Sequence, residues 1–406
     1  MSRLGLGFLL VLGLQATGCE SGMDGPEPLD AGLSSDGGPR ADLGLGPDSG
    51  SPTDSGETAD SDVGQDAEIT ADSGVNVDSG VPTDSGLNTD TGAAADSGAD
   101  PDSGVDTDGG PSDVGAGAWT PVAVPNGPSA RYFHSMAYDE SRQRVVLYAG
   151  NGIPQSDLWE WDGANWSLRP TATTPRALWG GALVFDPIRN VTVHFGGFGG
   201  GHQNDTWAWD GVAWQEYQPA SAPSPRYHHA AAFDHNTQTI VLFGGDSAGA
   251  LSDTWEWNGV TWIERFPATV PSSRAQQVMV WDAARAEIVM FGGREGPASL
   301  RPAETWVWRG GDWTLRNPST SPPARTLAAA AYDAQRQRVV LFGGGGSTGL
   351  LADTWEWDGT TWTEVTGALA PSPRAAPAMA YHTAAGQLLL FGGVQGAPFL
   401  GDTWVR

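Results

Sequence analysis

From Trp119 onward the apolar residues fall in short runs separated by turn residues, and the runs recur in a fixed order. A small apolar segment such as His229 to Phe233 ends at an Asp suited to a turn, and a longer buried run such as Val339 to Phe342 follows. That run stops at Gly-Gly, which permits backbone conformations that other residues avoid. A Trp-x-Trp segment comes next, with both indoles on one face because side chains alternate along a strand. The last segment begins at a single Trp after an Asp-Gly or Asn-Gly turn, as at Asp358-Gly359 before Trp362. Each unit therefore predicts four short strands.

The units align on an Arg that closes a Pro-rich segment, at Arg131, Arg176, Arg226, Arg274, Arg325 and Arg374, with a period of 45 to 51 residues. The second residue of the Gly pair follows at Gly150, Gly197, Gly245, Gly293, Gly344 and Gly393. Asp157, Asp205, Asp253, Glu304, Asp353 and Asp402 then open the Trp-x-Trp segments. Each Arg is expected to pair with the acid of its own unit. The sixth unit ends at Trp404-Val405-Arg406 without a fourth strand, while Trp119-Thr120-Pro121-Val122 has the form of a fourth strand with nothing before it. The N-terminal strand is thus expected to complete the last unit, leaving no open sheet edge.

Four strands, Gly-Gly after the second and spaced Trp in the third resemble the kelch repeat over residues 119–406. The resemblance implies an all-β fold, a six-bladed kelch-type β-propeller. It also implies that the loops between blades and the loops after Gly-Gly emerge on one face, the usual ligand face of such propellers.

Charge divides the chain in two. Residues 1–118 hold 23 of the 48 acidic residues and only two of the 21 basic ones, Arg3 and Arg40, so most of the net charge of −27 lies there. The remainder is mildly acidic, and neither part has the basic footprint that nucleic-acid binding requires. Between residue 19 and residue 118 the sequence is mostly Asp, Ser, Gly, Thr and Ala, with Asp at every sixth position from Asp24 to Asp108. Such a segment buries too little apolar surface to offset its ordering entropy and is predicted to be a disordered acidic linker. A left-handed β-helix would want an aliphatic residue three after each Asp, a place also held by Pro39, Ser51 and Glu57. Calcium turns would need denser oxygen ligands, although weak divalent binding is compatible with the spacing.

Arg3, the apolar run Leu4 to Leu14 and the small residues before Cys19 read as a secretory signal over residues 1–18. The run is too short to span a bilayer. Ala16-Thr17-Gly18-Cys19 resembles the lipobox of bacterial lipoproteins, with Ala16 where Leu is usual. That resemblance implies lipidation at Cys19 and a membrane anchor, hence export to the envelope, outer membrane or cell surface. Cys19 is the only cysteine, so no intrachain disulfide is available.

Of the 19 Trp, the repeat accounts for all but Trp179, which lies where the second unit carries two additional residues between Arg176 and its first strand. The second unit's other loop runs through Phe198, His202 and Gln203, and Tyr132, His134, Tyr227, His228 and Gln276 hold comparable entry positions in units one, three and four. Units five and six carry Leu327, Ala328, Ala376 and Pro377 there, so a polar and aromatic crescent faces an apolar one. These nine residues are the candidate site for a protein or glycan ligand. The competing expectation is a sugar isomerase- or epimerase-like enzyme acting in the channel, which would need acid and base groups there. No metal-ligand spacing is present, and no cofactor is expected.

Overall fold

The repeated runs fold as six four-stranded antiparallel sheets, the blades of a six-bladed β-propeller. The computed structural model describes residues 117–406 apart from 153–155, 177–178 and 297–301. The expected signal segment, Cys19 and the acidic linker lie outside the described residues.

Blade 5 shows the common plan: Ala329–Asp333, Arg338–Gly345, Leu350–Trp357 and Trp362–Val365 pair in sequence order. The innermost strand of every blade adjoins those of its two neighbours and forms the inner wall. Second strands are sandwiched between blades, which is why they are apolar on both faces; Val340, Leu341 and Phe342 are fully buried. In the sixth blade Thr120–Val122 pairs with Leu400–Val405, placing Thr120 opposite Val405 and Val122 opposite Thr403. The sheet is therefore assembled from the two ends of the described chain. Trp119 lies in the core between blades, its Nε1–H donating to Thr354 Oγ1 at 3.0 Å.

Two contacts recur around the ring. First, five of the six Arg are buried and form an ion pair with the acid before the Trp-x-Trp segment, as in Arg226–Asp253 at 2.6 Å and Arg325–Asp353 at 2.7 Å. The acid also accepts from the following indole, as Asp253 does from Trp255 Nε1–H at 2.7 Å. Second, the Gly pair lets the next blade's backbone pass close by. Gly293 N–H donates to Arg325 O at 3.0 Å, and a Cβ on Gly292 would sit 2.6 Å from that same oxygen. The turn after the first strand is pinned by an Asp in five blades, while in the sixth His382 Nδ1 accepts from Ala385 N–H at 3.1 Å and caps a short 3-10 turn.

Candidate functional site

The residue two places after the Arg slot has positive φ in every blade: Phe133 (58°), Gly180 (71°), His228 (55°), Gln276 (66°), Leu327 (57°) and Ala376 (51°). Non-glycine residues adopt this conformation only when their surroundings impose it. What imposes it is a closed ring of six main-chain hydrogen bonds about the axis. Each of these residues donates its N–H to the carbonyl of its counterpart in the preceding blade: Gly180 to Phe133 at 2.9 Å, His228 to Gly180 at 2.6 Å, Gln276 to His228 at 2.8 Å, Leu327 to Gln276 at 3.0 Å, Ala376 to Leu327 at 2.8 Å, and Phe133 to Ala376 at 3.3 Å. The ring fixes the directions of the side chains at the loop face.

Inside the ring lies a cavity of about 120 Å³. Its polar side is formed by His134, His228, His229, Gln276 and Gln277, and its apolar side by Leu327, Ala328, Ala376 and Pro377. Of the polar and aromatic crescent expected from the sequence, His134, His228 and Gln276 share this cavity with Leu327, Ala328, Ala376 and Pro377, whereas Tyr132, Trp179, Phe198, His202, Gln203 and Tyr227 are not part of its lining. No carboxylate, Lys or Arg belongs to its lining. Burial holds the histidines neutral: His134 and His228 are both lowered to about 3, with Arg131 and Arg294 respectively adding to the effect, and His229 is lowered for the same first reason.

Beside the cavity the aromatic residues form one connected surface. Trp179 stacks on Phe133 with ring centroids 5.4 Å apart and packs against Phe198 at 5.0 Å, Tyr227 at 5.3 Å and His228 at 5.6 Å. His202 stacks on Tyr227 at 5.1 Å and meets Phe198 at 5.6 Å, and on the other flank Tyr132 touches both Phe133 and Phe399. Phe198 faces His202 because the second and third strands of blade 2 continue past the glycines as a hairpin, Val191–Phe198 with His202–Trp209. Trp179, Phe198, Tyr227 and His202 are all half-buried, so part of each ring faces solvent.

The expectation that Trp179 stands outside the repeat is corrected by this geometry. Trp179 bridges Phe198 as Tyr132 bridges Asn151, Tyr227 bridges Asp246 and Thr326 bridges Gly345, so it occupies the first entry position of its blade. The two additional residues lie before it and displace Arg176 instead. Arg176 is exposed and forms none of the ion pairs found among the described residues, and Asp205 keeps one buried oxygen without a partner.

The other expected residues separate into two groups. His134 packs edge-on against Phe391 of the preceding blade at 5.4 Å, as His229 does against Phe195, and Gln277 Nε2–H donates to Phe243 O at 2.9 Å in the same place. These are contacts between blades, although the residues also border the cavity. Gln203 turns into its own loop, its Nε2–H donating to Gly201 O at 3.0 Å. Tyr132 accepts from Asn151 Nδ2–H through its hydroxyl at 2.8 Å, and Gln276 reaches His228 Nδ1 at 3.5 Å. Phe133 and Phe399, absent from the expected set, belong to the aromatic surface. Phe133 was readable from its place beside Tyr132; Phe399 sits in an irregular loop and carried no such signal.

Among the described residues no group of three or more His, Cys, Asp or Glu is arranged to hold a metal ion, and no helix is long and apolar enough to cross a membrane. No protein-family model matches the chain, and no curated protein sequence does. In fold it is similar to a solved structure described as "Structure of YjhT", with a TM-score of 0.55 and 16% sequence identity over 70% of this chain and 96% of that one.

Proposed function

We propose that this is an exported, lipid-anchored binding protein whose kelch-type propeller presents its loop face to carbohydrate. The observation that carries the reading is the connected aromatic surface from Phe399 through Tyr132, Phe133 and Trp179 to Phe198, Tyr227 and His202, set beside polar groups at the axis. Among these rings Tyr132 is buried and the others are partly exposed, and broad exposed rings stack on the apolar faces of sugars while neighbouring amides and imidazoles take their hydroxyls. Lipidation at Cys19 and a flexible acidic linker would hold that face away from a membrane.

The catalytic alternative finds less support at the axis. Acid–base chemistry wants groups with pKa near the working pH, whereas the cavity has no carboxylate in its lining and its histidines are held neutral by burial. A glycan array probed with the secreted chain carrying Cys19→Ser tests the binding reading. Retention of particular glycans, lost on Tyr227→Ala, is expected; absence of any retained glycan would overturn it. Anchoring is tested separately by labelling cells with an alkyne fatty acid, which should tag the wild-type chain and miss Cys19→Ser.

A further inference from the structure

The cavity at the axis and the aromatic surface share Phe133 and His228, so one ligand can occupy both. At about 120 Å³ the cavity is smaller than the roughly 300–1,000 Å³ of common small-molecule pockets, a size that suits one part of a ligand whose remainder lies outside it. Its lining selects which part.

On one side stand His228 and Gln276. His228 Nε2 is buried without a partner in the protein, and the Gln276 amide is half-exposed with a single long contact to His228 Nδ1. Opposite them, Leu327, Ala376 and Pro377 offer only carbon. A carboxylate, phosphate or ammonium group would lose its hydration here without a charged partner in the lining, since Arg294 and Arg131, the cations that act on His228 and His134, are already paired with Asp246 and Asp157. A lone hydroxyl would use the polar side and leave the apolar side wet. A group with an amide at one end and a methyl at the other satisfies both sides.

We propose that the loop face recognises an N-acetylated amino sugar, with its ring on Trp179 and Phe133 and its acetamido group in the axial cavity, the amide toward Gln276 and His228 and the methyl toward Leu327 and Ala376. This rests on the carbohydrate reading above and narrows it to one chemical class. Gln276 and Ala376 occupy the same slot of the repeat with φ of 66° and 51°, and Leu327 shares that slot with φ of 57°. Exchanging side chains there therefore introduces no new backbone strain.

The test is calorimetric titration of the secreted Cys19→Ser chain with matched trisaccharides in gluco and galacto series: N-acetylated, plain hexose and de-acetylated amine. The N-acetylated form should bind about tenfold more tightly than either counterpart, the gain from one hydrogen-bonded amide and one buried methyl. Gln276→Leu and Ala376→Gln, each checked for an unchanged melting temperature, should erase that preference, the N-acetylated form losing about tenfold more affinity than the hexose. Equal affinity for hexose and N-acetylated forms, or a preference that survives both substitutions, would overturn the acetamido assignment and leave the carbohydrate reading standing. Binding of no saccharide at all would overturn both.

Discussion

Trp214 reaches across the seam between the first two blades and packs with Leu158, where its five counterparts meet a threonine. Those five donate from Nε1–H to Thr403, Thr206, Thr254, Thr305 and Thr354 at 2.9 to 3.1 Å, whereas Trp214 Nε1 is buried without a partner. This seam departs from the rest in other places too: Ala149 stands for the first Gly, and His194 stands where other second strands carry Leu or Met. These departures lie in the blade whose loop-face entry bears Trp179 and in the seam between it and the first blade.

The threonine–indole bonds yield the first prediction. Thr206→Val keeps the shape of the side chain but strands the buried Nε1–H of Trp262, at a cost of about 1–3 kcal/mol. Thermal unfolding of the variant should occur at least about 2 °C below wild type. An unchanged melting temperature would show that the bond adds nothing to closure of the ring.

Acid sensitivity is the second. His134 and His228 are lowered to about 3 and His194 to about 4, in each case mainly by burial, and His229 is lowered for the same reason. A base whose folded pKa lies below its unfolded value of about 6.5 favours the fold above that value and loses the contribution as pH falls toward the folded pKa. Four such groups take up as many as four protons on unfolding, a slope approaching about 5 kcal/mol per pH unit below pH 6.5. Stability measured by denaturant titration should therefore begin to fall near pH 6.5, before carboxylates such as Asp253 and Asp402, held low by their Arg partners, start to protonate. His194→Leu should make the decline shallower by one proton; a constant stability from pH 7 to 5 would contradict the linkage.

Much of the fold was legible because it is written six times. Arg, Gly-Gly and Trp-x-Trp keep their order while loop lengths vary, and each does a job that physical chemistry requires: an ion pair, a close backbone passage, a buried indole face. The site was legible only in part. Trp179 drew attention for a reason that the structure corrects, since counting forward from Arg176 misses a two-residue displacement that counting back from the first strand at Ala182 reveals. His194 was invisible in an apolar run, and Phe399 came from a loop whose path no periodicity sets. Single departures from a repeat are the residues that averaging over it hides.

The third prediction concerns closure. Thr120–Val122 is the fourth strand of the sixth blade, Trp119 is 1% exposed, and Arg406 donates from Nε–H to Gly117 O at 3.0 Å. A fragment of residues 113–406 should fold and melt as the whole chain does. One beginning at Asn126 loses the strand and the buried Trp119, about 3–5 kcal/mol for the indole alone. It should melt several degrees lower and aggregate through its exposed edge. Coincident melting of the two fragments would refute closure by this strand.

The last prediction separates a binding role for Trp179 from a packing role. Its ring is half-buried, with neighbours that are themselves half-buried at the loop face: Phe133, Phe198, Tyr227 and His228. Its backbone N–H donates to Phe198 O at 3.3 Å, and the carbonyl accepts from Phe198 N–H at 3.0 Å, so truncating the side chain leaves both bonds in place. Trp262, by contrast, is 1% exposed, packs between blades and donates to Thr206. Trp262→Ala should cost about 3–5 kcal/mol. Trp179→Ala should cost well under half of that, because aromatic contacts at a partly solvated surface contribute about 0.5–1.5 kcal/mol beyond the area they bury. The same variant should lose at least about tenfold in affinity for any glycan that the wild-type face retains, since it removes the central ring of the aromatic surface. Melting curves and glycan titrations on the two variants decide the matter together. A Trp179→Ala protein that unfolds as early as Trp262→Ala, or one that binds glycan as wild type does, would remove Trp179 from the site.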